Sequence, residues 1–332
     1  MRCGADGPGA GALYLSIHYL RALAATGVFL SHLHPTLLGF SAGVDVFFVI
    51  SGFVMGSSGP RQSPGAFFRK RLIRVVPLYW MVTFAACGMA AAGLIGTVVD
   101  PEKIAKSLLF FPYADPQGKI WPIVVPGWTL NLEMLFYAIF ALALFSRWPV
   151  LVCSGCLLVL AGVGLVVPVY AVPVILWTSP LLVEFVFGLA LSQMRWTIGR
   201  RAGLAAVCLG LVALVMFSAS GVSAGGVIRV LTWGVPAALI VSGAVQIETQ
   251  SVRFPSVPAL TVLGDASYSF YLLHYWVLVA GHRLIGATTV ADVVFLAAGW
   301  GVAILSYQWI ERPILQWCSG RISTTTGARA RP

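Results

Sequence analysis

The sequence predicts an all-α integral membrane protein, with about ten transmembrane helices in a single bundle around a polar central cavity and both termini in the cytoplasm. Of its 332 residues, 59% are hydrophobic and only 10% are charged, and the mean hydropathy is +0.90. Apolar runs of about 20 residues, the length that spans a bilayer, recur almost from end to end. A soluble domain of this size would need a charged shell, so the composition excludes one.

The apolar runs place the spans in chain order. They cover residues 13–33, 38–56, 74–98, 128–146, 149–170, 178–194, 203–220, 227–247, 264–284 and 291–310. The connection at about 100–127 is too apolar and aromatic for a solvated loop, so it is expected to lie along the membrane surface or to cap a cavity. Residues 1–312 are expected to form one membrane domain, and 313–332 a short, basic, disordered cytoplasmic tail.

The Lys and Arg residues orient these spans, because cytoplasmic loops carry an excess of basic residues. With both termini inside, fifteen basic residues face the cytoplasm, five face outward, and Arg21 lies within the membrane. The inward set is Arg2, Arg61, Arg69, Lys70, Arg71, Arg74, Arg147, Arg195, Arg200, Arg201, Arg253, Arg312, Arg321, Arg329 and Arg331. The outward set is Lys103, Lys106, Lys119, Arg229 and Arg283.

The same distribution argues against nucleic acid as a partner, although the net charge is +10. The basic residues lie mainly in short segments between apolar runs, where membrane topology explains them. The sequence has no H-E-x-x-H motif or dense cluster of His, Cys and carboxylates that would indicate a metal site. It also lacks a glycine-rich nucleotide loop and the G-x-S-x-G motif of serine hydrolases.

The first span carries two polar side chains on one face. Arg21 and His32 are eleven positions apart, which is three helical turns plus roughly 20° and about 16.5 Å along the axis. An Arg at mid-membrane costs at least about 2.5 kcal/mol and is expected to have an anionic partner or a wet cavity. A buried ion pair that fixes helix packing would explain Arg21 alone, and an interfacial histidine would explain His32 alone. Their alignment favours a functional site.

The second span, GVDVFFVISGFVM, places Asp45 in the membrane. Its small residues, which let a neighbouring helix approach closely, are Gly43, Ser51 and Gly52. Asp45 is a candidate counter-charge for Arg21 or an orienting partner for His32. The alternative is a role as an N-terminal helix cap near the outer surface.

A basic cluster opens the third span, in which Arg69 and Lys70 precede Arg71 and Arg74. Arg71 and Arg74 are at positions i and i+3, so they are neighbours on one helix face. Two guanidinium groups at this spacing suit phosphate, which they bind through bidentate, charge-assisted hydrogen bonds. Anchoring to anionic lipid headgroups is the alternative.

Later spans add polar and aromatic side chains that are candidates to line a cavity. Glu133 lies about one turn inside the fourth span, which Trp128 opens. Tyr271 and His274 in the ninth span are at positions i and i+3 and share a face. Glu184 in the sixth span is isolated, which favours a structural role.

Together these segments resemble the acyltransferase-3 family of membrane O-acyltransferases, particularly members that acetylate bacterial exopolysaccharide or O-antigen sugars. Arg21 to His32 resembles the family's R-x10-H motif, and Arg71 with Arg74 resembles its RxxR motif. The GxxxxFxxSG motif is matched by Gly43, Phe48, Ser51 and Gly52. The resemblance runs through most of the chain, and PGWTLNLEMLFY and SYSFYLLH are similar to later family segments.

The resemblance implies that an acyl group, commonly acetyl, passes from cytoplasmic acyl-CoA to a hydroxyl of an exported polysaccharide or its lipid-linked precursor. His32 is then expected to act as general base on the acceptor hydroxyl. Arg21 would orient the donor or stabilise oxyanion charge, and Asp45 completes the catalytic set. The expected contacts of acyl-CoA are Arg71, Arg74, Arg69 and Ser51. Those that line the substrate cavity are Trp128, Glu133, Tyr271 and His274.

The resemblance also implies a bacterial-type inner membrane, with membrane lipids as further partners and no metal. Larger relatives carry an additional extracytoplasmic SGNH-type domain, which the short tail is not expected to provide. Two alternatives stay open. The acceptor could be a small molecule such as a macrolide, or the chain could be a glycan or lipid transporter, since intramembrane charges also mark substrate pathways.

Overall fold

The computed structural model describes residues 14–34, 38–96, 99–115, 117–194, 199–220, 225–251, 254–286 and 288–318. All regular structure in these ranges is helical. The α-helices are α1 Leu15–Leu33, α2 Gly43–Ser58, α3 Pro64–Ala91, α4 Pro101–Leu108, α5 Gly127–Ala143, α6 Pro149–Val166, α7 Val172–Trp177, α8 Leu182–Gln193, α9 Arg200–Ala219, α10 Gly226–Arg229, α11 Val235–Thr249, α12 Pro258–Ile285 and α13 Thr289–Ser306. Two 3-10 turns, Leu38–Ala42 and Gly59–Arg61, and two π-helical segments, Val230–Gly234 and Tyr307–Glu311, continue or precede these helices.

Each predicted span overlaps a helix, and in the described residues seven helical stretches are long and apolar enough to cross a membrane. They are Gly39–Arg61, Pro64–Ala91, Pro149–Val166, Val172–Gln193, Arg200–Ala219, Gly226–Thr249 and Val290–Cys318. The apolar helix α5 is shorter, at 17 residues. Helices α1 and α12, with 19 and 28 residues, fall outside this set because their charged and polar side chains lower their hydropathy.

Helix α3 begins at Pro64, ten residues before the predicted third span. Proline suits the first position of a helix, because the amide hydrogen that it lacks would have no intrahelical partner there. The helix ends at Ala91, shortly before Gly93, whose φ of +69° is a conformation that glycine adopts readily. The basic cluster therefore lies inside α3, and the helix fixes the spacing of its side chains.

A short helix, α7, precedes the sixth predicted span, 178–194, and α8 begins four residues inside that span. Helix α7 ends at Trp177 and α8 begins at Leu182, with Pro180 between them. Proline disfavours helical backbone at the preceding residue and removes a hydrogen-bond donor, which accounts for the interruption.

Part of the predicted tail is helical, since residues 313–318 continue the last helix. Residues 319–332 lie outside the described residues. So do Arg2, Arg195, Arg253, Arg321, Arg329 and Arg331, which contribute to the charge count above.

The chain splits into two compact units. Unit 1 comprises Met1–Pro64 and Leu132–Asp265, and unit 2 comprises Gly65–Asn131 and Ala266–Pro332. In unit 1, helices α1, α2 and α11 pack around Ile17, Val49 and Val241, all of which are fully buried. Glu248 of α11 accepts hydrogen bonds from the amides of Leu15 and Ser16 at 2.9 and 2.8 Å. A carboxylate at this position satisfies free amides and complements the helix dipole.

Small residues bring the helices of unit 1 into backbone contact. A Cβ on Gly43 would lie 2.2 Å from the carbonyl oxygen of Ala24 in α1. A Cβ on Gly52 would lie 2.1 Å from the carbonyl oxygen of Phe185 in α8, and one on Gly188 would lie 2.0 Å from that of Val49. The two glycines of the GxxxxFxxSG segment therefore hold α2 against a different helix on each side.

In unit 2, the segment that follows α3 is anchored by polar contacts. Asp100 caps α4 by accepting from the amide of Lys103 at 2.8 Å, and this hydrogen bond holds the pKa of its carboxyl below the usual range. The indole of Trp80 donates to the carbonyl oxygen of Leu108 at 2.9 Å. The stretch expected to lie along the surface thus contains a short helix tied to α3.

Candidate functional site

Helix α1 positions both residues of the R-x10-H segment. Arg21 is half-buried and His32 is exposed in the last turn. The Nδ1 of His32 lies 2.8 Å from the carbonyl oxygen of Val28. Because a carbonyl can only accept, Nδ1 carries the proton of the neutral ring and its lone pair lies on Nε2. This tautomer is the one that lets Nε2 take a proton from a hydroxyl.

Asp45 lies in the first turn of α2 and is fully buried. Its two oxygens accept from Nε and Nη2 of Arg229 at 3.0 and 2.9 Å. The guanidinium also lies 4.9 Å from the ring centroid of Trp233. The sequence offered Arg21 and His32 as partners and placed Arg229 among the outward-facing basic residues, at the start of the eighth predicted span. The structure gives Asp45 a bidentate ion pair with Arg229 instead, a geometry that only arginine can make.

Glu184, expected to be structural, is also fully buried. Neither of its carboxyl oxygens has a hydrogen-bond partner in the part of the chain that the structure describes. The carboxyl lies against Gly234, where a Cβ would be 2.9 Å from Oε1. Gly234 ends the π-helical segment that follows Arg229, and such segments recur at functional sites. Hydropathy alone gave no sign of this juxtaposition.

The structure brings Ser51 of α2 to Glu133 of α5. The Ser51 hydroxyl donates to Oε1 of Glu133 at 2.8 Å, and the Tyr137 hydroxyl donates to the same oxygen. Phe48, one turn before Ser51, packs on Phe185 with ring centroids 4.7 Å apart. Ser51 and Glu133, predicted separately as donor and cavity residues, thus form one polar pair inside unit 1.

Arg74 of the RxxR segment pairs with Glu311 in the second π-helical segment. Glu311 is 3% exposed, and its other oxygen accepts from Ser269 at 2.7 Å. The Arg74 guanidinium carbon also lies 5.7 Å from the ring centroid of Tyr268. Sequence reasoning missed Glu311, although an acidic residue directly after a predicted apolar span, 291–310, can be a signal of a buried partner.

Arg69 and Arg71 differ from Arg74 in their surroundings. Arg69 is exposed, whereas Arg71 is half-buried with its guanidinium 5.7 Å from the ring centroid of Phe67. The Nε of Arg71 is buried and has no hydrogen-bond partner among the described residues. A buried donor without a partner is costly, and a phosphate oxygen would satisfy it.

The aromatic candidates lie together in unit 2. The Tyr271 hydroxyl shares a hydrogen bond of 2.8 Å with Thr129 and donates to the carbonyl oxygen of Pro126 at 3.2 Å. Trp128, between those two partners, is half-buried. His274 is 1% exposed, and its Nδ1 lies 2.8 Å from the carbonyl oxygen of Tyr271. These contacts tie the start of α5 to α12.

The candidate residues fall in both units. Unit 1 holds Arg21, His32, Asp45, Ser51 and Glu133, and unit 2 holds Arg69, Arg71, Arg74, Trp128, Tyr271 and His274. Across the described ranges, no group of three or more His, Cys, Asp and Glu side chains could hold a metal ion.

Comparisons with known proteins match almost the whole chain. The family model Acyl_transf_3, described as an acyltransferase domain, matches residues 14–327, which extends past the predicted boundary at 312. The exopolysaccharide production protein ExoZ of Rhizobium meliloti (strain 1021) is 39% identical over 305 residues, which cover 87% of this chain and 93% of that protein. The acyltransferase MdmB of Streptomyces mycarofaciens is 29% identical, over 82% of this chain and 80% of that protein. No solved structure matches significantly.

Proposed function

This chain belongs to the acyltransferase-3 family, and on that premise we propose that it moves an acetyl group from cytoplasmic acyl-CoA to a hydroxyl of an exported polysaccharide or its lipid-linked precursor. It is a multi-pass membrane O-acyltransferase. The proposal places it in a bacterial inner membrane with ten spans and both termini in the cytoplasm. The bias of basic residues toward one side supports this orientation.

The relatives support a glycan acceptor. The match to ExoZ, whose name assigns it to exopolysaccharide production, covers nearly all of both chains. Because the alignment covers most of both chains, it favours the same class of acceptor for both proteins and not only the same fold. An acyl-CoA donor and a sugar hydroxyl acceptor together define an O-acetylation, in which one thioester is exchanged for one ester.

We assign the role of general base to His32. Its hydrogen bond to Val28 leaves the lone pair on Nε2. Nε2 takes the proton of the acceptor hydroxyl as the oxygen bonds to the thioester carbonyl carbon. The carbon–sulfur bond then breaks, and the proton passes to the leaving CoA thiolate, so charge and atoms balance. Arg21 stabilises the oxyanion of the tetrahedral intermediate. Asp45 acts through its ion pair with Arg229 as a positioning residue.

The donor phosphates are assigned to Arg71 and Arg69. The buried, unpartnered Nε of Arg71 supports this assignment. Arg74 contributes by holding α3 through Glu311. Ser51 is also assigned to the binding of the acyl donor, and its hydrogen bond to Glu133 fixes the direction of its hydroxyl hydrogen. Trp128, Tyr271 and His274 are assigned to the walls of the substrate site.

The test is label transfer in membranes that contain the protein. Membranes are given labelled acetyl-CoA, and label in polysaccharide is compared between wild type, His32→Ala and His34→Ala. Loss of a general base is expected to lower transfer by about 10²- to 10⁴-fold in His32→Ala. His34, which follows the last residue of α1 and is likewise exposed, provides the matched control and should leave transfer within about twofold. Undiminished transfer in His32→Ala would refute the mechanism.

A further inference from the structure

Unit 2 contains an apolar groove of about 450 Å³ between α3, α12 and the end of α13. Its walls include Leu78, Val82 and Ala85 of α3, Trp276 of α12, and Leu305 and Ser306 of α13. Two buried polar atoms in these walls, Nε1 of Trp276 and Oγ of Ser306, have no hydrogen-bond partner in the described residues. Each unmade hydrogen bond is costly, so a plain hydrocarbon chain is a poor occupant.

The groove and the donor-phosphate residues share one face of α3. The groove residues Leu78, Met81, Val82, Ala85 and Met89 lie seven, ten, eleven, fourteen and eighteen positions after Arg71. At about 100° per residue, they and both arginines fall within an arc of roughly 100°. A ligand that binds Arg71 through phosphate can therefore continue along the same face into the groove.

The distance of Nε1 of Trp276 and Oγ of Ser306 from Arg71, measured along the helices, limits which ligands could occupy the groove. Arg74, Glu311 and Ser269 are bonded to one another and define one level of unit 2. Trp276 lies seven residues beyond Ser269, and Ser306 lies five residues before Glu311. By helical rise, both polar groups lie about 12–15 Å further into the unit than Arg71.

We propose that this groove binds the pantetheine arm of acyl-CoA, with the phosphates at Arg71 and the amide or thioester carbonyls at Trp276 and Ser306. An extended chain advances about 3.3–3.6 Å per three bonds. The second pantetheine amide, nine bonds from the nearer phosphorus, therefore lies about 10 Å from it, and the thioester carbonyl about 16 Å. These distances bracket the depth of Trp276 and Ser306.

A membrane phospholipid fits this depth less well. Its ester carbonyl is five bonds from phosphorus, or about 6 Å, which would place it near Arg74 rather than near Trp276. The gem-dimethyl group and methylenes of pantetheine match the apolar walls, and its two amides supply acceptors. The inference rests on the proposed function, because it names a subsite for the proposed donor.

Two probes that differ only in the pantetheine arm test the inference. CoA and 3′-phospho-ADP, which lacks the arm, are titrated against the purified full-length protein in detergent. Trp276→Phe removes the indole N–H, which is the hydrogen-bond donor, but keeps an aromatic ring. Ala85→Phe fills the groove. Each is expected to weaken CoA binding by about fivefold to tenfold and to leave 3′-phospho-ADP binding unchanged. Arg71→Gln should weaken both probes.

Ala91→Phe is the matched control for Ala85→Phe. Ala91 is exposed near the end of the same helix and lies about 200° around the axis from Arg71. It should leave both probes unaffected. The unchanged affinity for 3′-phospho-ADP shows in each variant that the protein is folded.

The outcomes separate this inference from the proposed function. If wild type binds CoA but the groove variants bind it equally well, the groove assignment is overturned, whereas the assignment of acyl-CoA as the donor is unaffected. The groove assignment also fails if the groove variants lose co-purified phospholipid while CoA affinity holds, since the groove is then a lipid site. If wild type binds neither probe, the acyl-CoA donor itself is refuted.

Discussion

Arg74 and Glu311 show how one contact changes the interpretation of a motif. From sequence, Arg71 and Arg74 were equivalent neighbours on one helix face. In the structure, Arg74 is paired with a carboxylate of its own chain, whereas the Nε of Arg71 has no partner among the described residues. The spacing of two arginines predicts their shared face, but only the fold places Glu311, some 240 positions away, beside one of them.

Glu311→Gln is expected to destabilise the protein. The change removes the carboxylate that pairs with Arg74, at a site where Glu311 is 3% exposed. The free energy of unfolding should fall by about 3 kcal/mol, the lower end for a broken buried pair, because Arg74 keeps some exposure. Denaturant unfolding of the purified protein in detergent measures it.

Glu102→Gln is the control for this change. Glu102 pairs with Lys106 on α4 but is 75% exposed, so its loss should cost well under about 1 kcal/mol. If Glu311→Gln abolished acyl transfer and left unfolding unchanged, Glu311 would act on the substrate and not on α3.

Asp45 gives a similar lesson. Its type and position in an apolar run predicted a buried carboxylate with a cationic partner, and both features are present. The identity of that partner depends on how α10 meets α2, which a local pattern does not encode. Arg229 lies at the start of the predicted span 227–247 and was counted with the outward-facing basic residues, because charge bias assigns a residue to a side of the membrane and not to a partner.

Helices α2 and α8 meet backbone to backbone at Gly52 and Gly188. Gly52→Ala would put a methyl group 2.1 Å from the Phe185 carbonyl oxygen. The helices must then separate, at a cost of about 1–3 kcal/mol for overpacking. Thermal unfolding in detergent should show a lower midpoint for this variant.

Gly155→Ala in α6 is the comparison, because nothing lies within 4 Å of its Cβ position. Alanine is the better helix former by up to about 1 kcal/mol, so this variant should unfold at the wild-type temperature or above it. Equal destabilisation by the two changes would contradict the close approach of α2 and α8.

Helix existence was predictable, whereas helix ends and irregularities were not. Long apolar runs predicted the positions of the helices, because bilayer thickness sets their length. The early start of α3 depends on Pro64, and the break before α8 depends on Pro180. The π-helical segments that end at Gly234 and Glu311 adjoin Glu184 and Arg74, and they arise from tertiary packing that carries no sequence period.

Across the whole molecule, many large apolar side chains are exposed. Polar residues in the same helices lower the mean hydropathy by which membrane spans are recognised. Helices α1 and α12 carry His32, Tyr271 and His274, and both fall outside the set of membrane-capable stretches. A count of apolar helices thus leaves out two of the helices that carry candidate residues. Charge bias predicted an orientation for the chain, and this orientation assigns the acyl donor to the cytoplasmic face.

The most direct test gives labelled acetyl-CoA to sealed membrane vesicles of known sidedness and measures label in glycan together with release of free CoA thiol. Inverted vesicles, which expose the cytoplasmic face, are expected to form one ester for each thiol released, and sealed right-side-out vesicles to form none until they are permeabilised. Ester formation in intact right-side-out vesicles would contradict the orientation. Absence of ester in both kinds of vesicle, with wild-type protein and acceptor present, would contradict acyl transfer from acyl-CoA.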